Sequence, residues 1–231
     1  MKLTDLKTQY QLNNPFPHIV LDNFMHPFDA SYCLDEMKRF VEWGADYTEY
    51  SAAHQQNKFF FPYDGKVNEF KDLMPFVWKT IQYYNSKEFI HQLEELTGIK
   101  NLIPDHDLVG GGVHRIDSGG KLSVHTDYGK HPEKEGLYRR INLLIYLNKD
   151  WNPDWGGTLQ LWKPDKSEMM VEVQPTFNTA VIFNTSSKSL HGHPHPLNTP
   201  EGISRYSIAL YYFTTESFED NNTTAAQWYD V

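Results

Sequence analysis

Several things are scarce in this sequence. Its 231 residues hold one cysteine, Cys33. A single thiol excludes an intrachain disulfide and a cysteine-rich zinc site. No apolar run approaches the ~20 residues a membrane-spanning helix needs, and the opening stretch MKLTDLKTQYQLNN lacks the apolar core of a signal peptide. The expectation is a soluble, cytoplasmic protein in a reducing compartment, with no membrane partner. Positive charge is in the minority, with 21 Lys and Arg against 30 Asp and Glu, a net charge of −9. That balance argues against broad binding to nucleic acid or to membrane surfaces. There is no internal repeat, no low-complexity linker, and no G-x-G-x-x-G or P-loop. A nucleotide-binding α/β fold therefore has no support.

Large apolar side chains are plentiful. Aromatics make up 15% of the chain and hydrophobic residues 39%, enough to fill one core and to exclude global disorder. Residues 1–231 read as a single domain in three stretches. Residues 1–100 are a support region. FPHIVLDNF (16–24) alternates as a strand. PFDASYCLDEMKRFVEW (27–43) has helical spacing, with Leu34, Met37, Phe40 and Val41 on one face and Asp29 or Ser31 as cap. KFFFPYDGK (58–66) reads as a strand entering a turn. Residues 68–98 read as two helices, interrupted at Pro75 or Asn85-Ser86 and closed by Gly98. Residues 101–216 change character. Short β-branched and aromatic runs recur, punctuated by turn signals such as Ser118-Gly119-Gly120 and Gly156-Gly157. This is the pattern of an antiparallel sandwich or barrel. Residues 217–231 form a tail.

The stretch SVHTDYGKH (123–131) sets His125 and Asp127 two apart. On a strand, side chains at i and i+2 point the same way, so both can face one centre. Alone, the pair reads better as a strand-end His beside a turn-capping Asp. A second cluster, SLHGHPHPL (189–197), follows the strand TAVIFNT and supplies His191, His193 and His195. Two histidines and one carboxylate form a facial triad that leaves positions open on Fe(II) for a bidentate ligand and O2. Zinc with three protein ligands and water is the competing metal, and spacing does not separate the two. RYSIALYYF (205–213) then brings Arg205 and Ser207, again at i and i+2. A guanidinium beside a hydroxyl suits a bidentate, charge-assisted grip on a carboxylate. The ordinary alternative is an ion pair with one of the 30 acidic residues.

On these residues the sequence resembles the iron(II)- and 2-oxoglutarate-dependent dioxygenases, in particular their prolyl 4-hydroxylase-like branch. The resemblance runs from about Gly110 to Thr214. It is carried by HTD (125–127), RRINLLIYLNKDWNPDWGGTLQLW (139–162) and HGHPHPL with RYSIALYYF (191–213). It implies a double-stranded β-helix, or jelly roll: a β-rich α+β fold with an N-terminal helical layer. It implies Fe(II) held by His125, Asp127 and a distal histidine, assigned to His191 with His193 and His195 as rivals. It implies 2-oxoglutarate held through its distal carboxylate by Arg205 and Ser207, with Tyr146 reaching the same group or serving as a core tyrosine. Asn142 and Leu144 alternate with Tyr146 and are expected to face that pocket, which makes Asn142 a further candidate. Ascorbate is an expected additional ligand. His114 and Arg115 are read as structural, with substrate contact as the alternative.

The resemblance implies hydroxylation of a C–H bond, with O2 as oxidant and succinate and CO2 as co-products. The expected substrate is peptidyl, with proline the leading residue. A free amino acid or other small molecule is the second expectation. A non-enzymatic jelly-roll binder of sugar or metal is the third. Substrate selection is expected in residues 48–65, read as a mobile flap, and in 128–140. There Lys130, Lys134, Arg139 and Arg140 form either an attractant for acidic peptides or a solvated face.

Overall fold

The helical layer follows from spacing. In α2 (Pro27–Arg39) the buried residues Ala30, Cys33, Leu34 and Met37 recur every three to four positions, so one stripe is apolar. Proline opens the helix at its first position. No side chain caps it, so neither Asp29 nor Ser31 acts as the expected cap. The helix ends earlier than its apolar spacing predicts. Phe40 is extended, and Val41, expected on the buried face, is 86% exposed. Short helices α1 (Lys7–Leu12) and α3 (Phe70–Leu73) precede α4 (Pro75–Tyr84) and α5 (Lys87–Thr97). Pro75 starts α4, Ser86 caps α5 by accepting from Phe89 N, and Gly98 ends it in the left-handed region. The Glu36 carboxylate accepts from the backbone N–H groups of Phe76 and Val77. It thereby ties α2 to the open N-terminus of α4.

The computed structural model describes residues 2–45, 52–217 and 223–230. Its strands are β1 (His18–Leu21), β2 (Gly44–Ala45), β3 (Gln55–Phe61), β4 (Ile103–Pro104), β5 (Gly112–Thr126), β6 (Tyr138–Tyr146), β7 (Leu159–Trp162), β8 (Met169–Val173), β9 (Thr179–Asn184), β10 (Leu190–His193), β11 (Arg205–Thr214) and β12 (Gln227–Trp228). They pair antiparallel in the order β1-β9-β6-β11-β5-β10-β7-β8 and curl into a nearly closed jelly roll. β1 and β3, from the expected support region, are strands of this sheet, and β12 from the tail pairs with β5.

Two expectations change here. Residues 55–61, placed in a mobile flap, form a strand along β5 that includes the start of the strand expected from 58, with Phe61 buried in the core. Residues 48–51 of that flap lie outside the described residues. The glycine pair 119–120 is not a turn between two strands. β5 runs through it, pairing with β11 at 112–116 and with β10 and β12 near 122–126. A register shift opposite Asn57 marks a bulge, where the Asn57 amide donates to Ser118 O at 2.8 Å. A Cβ on Gly120 would sit 2.4 Å from the Ile116 side chain and 2.8 Å from Asp117 O, so only glycine fits this bend.

Alternation sorts β6 and β11. Ile141, Leu143, Ile145, Ile208, Leu210 and Tyr212 pack with the helices in the main core. Asn142, Leu144, Tyr146, Arg205, Ser207 and Tyr211 turn the other way and line a cavity of about 290 Å³ inside the roll.

Candidate metal centre

A break in the alternation of β5 decides where the first ligand points. His114 and Ile116 line the cavity, and strict alternation from them would turn His125 away. Leu122 keeps their phase, and a register shift against β10 between Leu122 and His125 then changes it, so His125 and Asp127 line the cavity too. Across the sheet His125 pairs with His191 of β10, and their ring centroids lie 4.4 Å apart. Gly192 permits this approach: a Cβ there would come within 2.8 Å of the Leu122 and Ser123 carbonyls.

Ligand atoms of His125, Asp127 and His191 lie within 4.8 Å of one another, all three residues buried. Both His Nε2 atoms stand 3.5 Å from an Asp127 oxygen. Each imidazole uses Nδ1 to meet a carbonyl two residues back, Ser123 O and Ser189 O, both at 2.9 Å. That contact fixes the proton on Nδ1 and leaves the Nε2 lone pair for a metal. Burial pushes the His191 pKa down to about 4, so its ring is neutral near pH 7. Burial alone would raise the Asp127 pKa. The Arg139 guanidinium, then the imidazoles, override it and hold the carboxyl well below the ordinary range. One anion and two neutral nitrogens on one face are a donor set that fits a divalent iron. His195 is exposed beyond the end of β10, and His193, though buried, is outside this group of donors.

Asn142 faces the cavity as expected, but its amide is already engaged. It donates to Asp127 Oδ2 at 2.7 Å and accepts from Arg139 Nε at 2.8 Å. Arg139 is neither a solvated charge nor a peptide attractant. It is 2% exposed, pairs with Asp127 Oδ2 at 3.1 Å, and lies over the Tyr211 ring. The remaining residues of that expected basic set differ from it. Lys134 pairs with Asp107, and Arg140 donates to Thr214 at 3.2 Å.

At the far end of the cavity, Arg205 and Ser207 start β11, and Ser207 pairs with Tyr146 of β6. Arg205 is 4% exposed, its Nε donates to Gly157 O at 2.8 Å, and its guanidinium lies over the Tyr146 ring. No carboxylate among the described residues pairs with it. The expected alternative of a surface ion pair therefore does not hold. A buried guanidinium without a counter-ion calls for an anionic ligand. Leu144 and Leu159 line the cavity as apolar walls.

Residues 111–213 match the profile of the 2OG-Fe(II) oxygenase superfamily. The matched stretch, which holds the triad and Arg205, is similar to that superfamily. That likeness implies iron(II) and 2-oxoglutarate as metal and co-substrate, and the donor set above fits them. Among curated relatives, mouse "Prolyl 3-hydroxylase OGFOD1" is 26% identical over 204 residues, covering 87% of this chain and 33% of the relative. Mouse "Prolyl hydroxylase EGLN3" is 29% identical over 93 residues, covering 39% of this chain and 36% of the relative. The chain thus spans about a third of the length of these relatives. A Trichoplax adhaerens prolyl hydroxylase, solved with a hypoxia inducible factor peptide fragment, aligns with TM-score 0.62 at 16% identity, covering 91% of this chain and 89% of its own. A Pseudomonas putida prolyl-4-hydroxylase aligns with TM-score 0.57 at 15% identity, covering 92% and 98%. These two likenesses are of fold.

Sequence reasoning missed the mouth. Trp228 of β12 pairs with His125 in register, packs on its ring at 4.9 Å, and stacks on His54 at 5.1 Å. No local signal marks residues more than a hundred positions apart as neighbours. His114 lines the cavity and meets Gly110 O at 3.2 Å, and Arg115 pairs with Asp117 at 3.1 Å.

Proposed function

We propose that this protein is an Fe(II)- and 2-oxoglutarate-dependent hydroxylase of a peptidyl substrate, with proline as the residue modified. The observation that carries the reading is Arg205, a buried guanidinium without a carboxylate partner among the described residues, in the same cavity as the triad. His125, Asp127 and His191 hold the metal through two Nε2 atoms and one carboxylate. Arg139 and Asn142 orient that carboxylate and fix its charge. Arg205 binds the distal carboxylate of 2-oxoglutarate, with Ser207 and the Tyr146 hydroxyl assisting. Leu144 and Leu159 keep water from the chain between the two ends. When bound, iron(II) couples O2 and 2-oxoglutarate to insertion of one oxygen atom into a substrate C–H bond, leaving succinate and CO2. Ascorbate serves as the accessory reductant.

The peptidyl substrate is supported by the names of the relatives and by the peptide bound to the Trichoplax protein. Trp228 and His54 offer an aromatic rim at the mouth on which a prolyl ring would pack. A small-molecule substrate is the second reading. It is supported by the fold of HygX from Streptomyces hygroscopicus, solved with hygromycin B, at TM-score 0.51 and 12% identity. The cytoplasm is the proposed location, in keeping with one free, buried thiol at Cys33. The test is a mass-spectrometric screen of proline-containing peptides against free amino acids and metabolites, with iron(II), 2-oxoglutarate and O2 supplied. A gain of one oxygen atom on a peptide is expected. A gain only on metabolites selects the second reading. An absence of succinate formation under all conditions overturns both in favour of a binding module.

A further inference from the structure

β10 carries a histidine that neither the triad nor the fold uses. His193 is 3% exposed, and neither Nδ1 nor Nε2 has a hydrogen-bond partner among the described residues. A neutral imidazole has one N–H donor and one lone pair, and burying both unpaired is costly enough that native structures rarely do it. A leucine of similar size would fill the space without that cost.

The place of the ring indicates what it serves. His191 and His193 are i and i+2 on one short strand, and both line the cavity. The first lies against Asp127. The second lies outside the donor group, in the cavity that Arg205 also lines. Arg205 has Nε committed to Gly157 O and also meets the Tyr146 hydroxyl, which leaves its remaining terminal N–H groups for a ligand. A carboxylate has about four lone-pair sites, more than one guanidinium edge fills. A second donor from β10, across β5 from β11, completes the grip.

We propose that His193 donates a hydrogen bond to the distal carboxylate of 2-oxoglutarate beside Arg205, and so helps set which 2-oxo diacids the cavity accepts. This rests on the 2-oxoglutarate reading of the cavity. Two donors on different strands fix the carboxylate in position rather than only attracting its charge. Co-substrates longer or shorter by one carbon therefore lose one donor or both.

The test is anaerobic calorimetry of 2-oxoglutarate and of its one-carbon-longer homologue on Mn(II)-loaded protein, with metal affinity and thermal unfolding measured in parallel. A hydrogen bond to a charged group predicts about tenfold weaker 2-oxoglutarate binding in His193→Leu. His193→Gln, which keeps a donor, should recover most of the loss, and the preference over the longer homologue should shrink in His193→Leu alone. Mn(II) affinity should be unchanged. The ligand-free His193→Leu protein should unfold at the same or a higher temperature, because an unsatisfied buried group has been removed. A merely structural histidine would give the opposite stability change with no change in affinity. Should His193→Leu fail to fold, the smaller His193→Val carries the same expectations. Unchanged 2-oxoglutarate affinity in His193→Leu, alongside a large loss in Arg205→Ala, overturns this inference alone. Unchanged affinity in both overturns the co-substrate reading beneath it. Loss of Mn(II) from His193→Leu would make His193 a metal ligand and overturn the inference as well.

Discussion

The two faces of β6 and β11 share one backbone and do opposite things. On the helix side, Leu143, Ile145, Ile208 and Leu210 are fully or almost fully buried among apolar neighbours. On the cavity side, the same two strands carry Asn142, Tyr146, Arg205 and Ser207, equally buried but polar. The first face stabilises the fold by removing apolar area from water. The second carries groups whose full set of partners includes a ligand. Stability and binding should therefore separate by residue parity along a single strand.

The largest effect expected is on the cavity side. Asp127→Ala removes the one anionic ligand and should abolish iron binding, and Asp127→Asn, which keeps the shape, should do the same. Metal analysis alongside circular dichroism checks this, and a folded variant with wild-type iron content would contradict the triad. Next comes the helix side. Leu143→Ala should cost about 2–5 kcal/mol of stability, as for a large-to-small change in a packed core. Denaturant unfolding measures that, while the folded fraction keeps its affinity for 2-oxoglutarate. Arg205→Ala should show the reverse. Truncating one partner of a buried charge pair costs about 2–5 kcal/mol, so binding weakens about 30-fold or more with iron retained. Arg205→Lys should rescue part of it, and Ser207→Ala should cost about 1 kcal/mol. If Leu143→Ala and Arg205→Ala moved both quantities alike, the separation of the faces would fail.

The smallest effect expected lies deepest in the helical layer. Burial pushes the Cys33 thiol up to about 12 from an ordinary value near 9. Below pH 9 both folded and unfolded chains keep the proton, and no stability depends on it. Above pH 9 the unfolded chain ionises first, so stability should fall as pH rises towards 12. Thiol labelling of the native protein at pH 8–9 should be slow until denaturant is added.

Parity also shows what the sequence makes legible. The i and i+2 pairs His125–Asp127 and Arg205–Ser207, the alternation of Asn142 with Tyr146, and the punctuated run of short strands needed only local periodicity. Irregular pairing broke that rule. The Gly119-Gly120 bulge turned an expected turn into one bent strand, and a register shift between Leu122 and His125 re-aimed His125. At the other end of β6 a register shift pairs Phe213 with Arg139 and Tyr212 with Ile141. It brings Arg139 to the cavity, although simple alternation from Asn142 would turn it out. Bulges belong to paired strands, so one strand's sequence does not announce them. The helix end at Arg39 and the contact of Trp228 with His125 are likewise decided by tertiary packing.

The central claim is that the triad and Arg205 are the two poles of one site and grip the two ends of one molecule. Anaerobic titration of 2-oxoglutarate into wild-type protein, with and without bound divalent metal, tests it most directly. With metal removed, one end of the co-substrate loses its anchor while Arg205 keeps the other, so affinity should fall by about tenfold or more but not vanish. Equal affinity with and without metal would contradict the account.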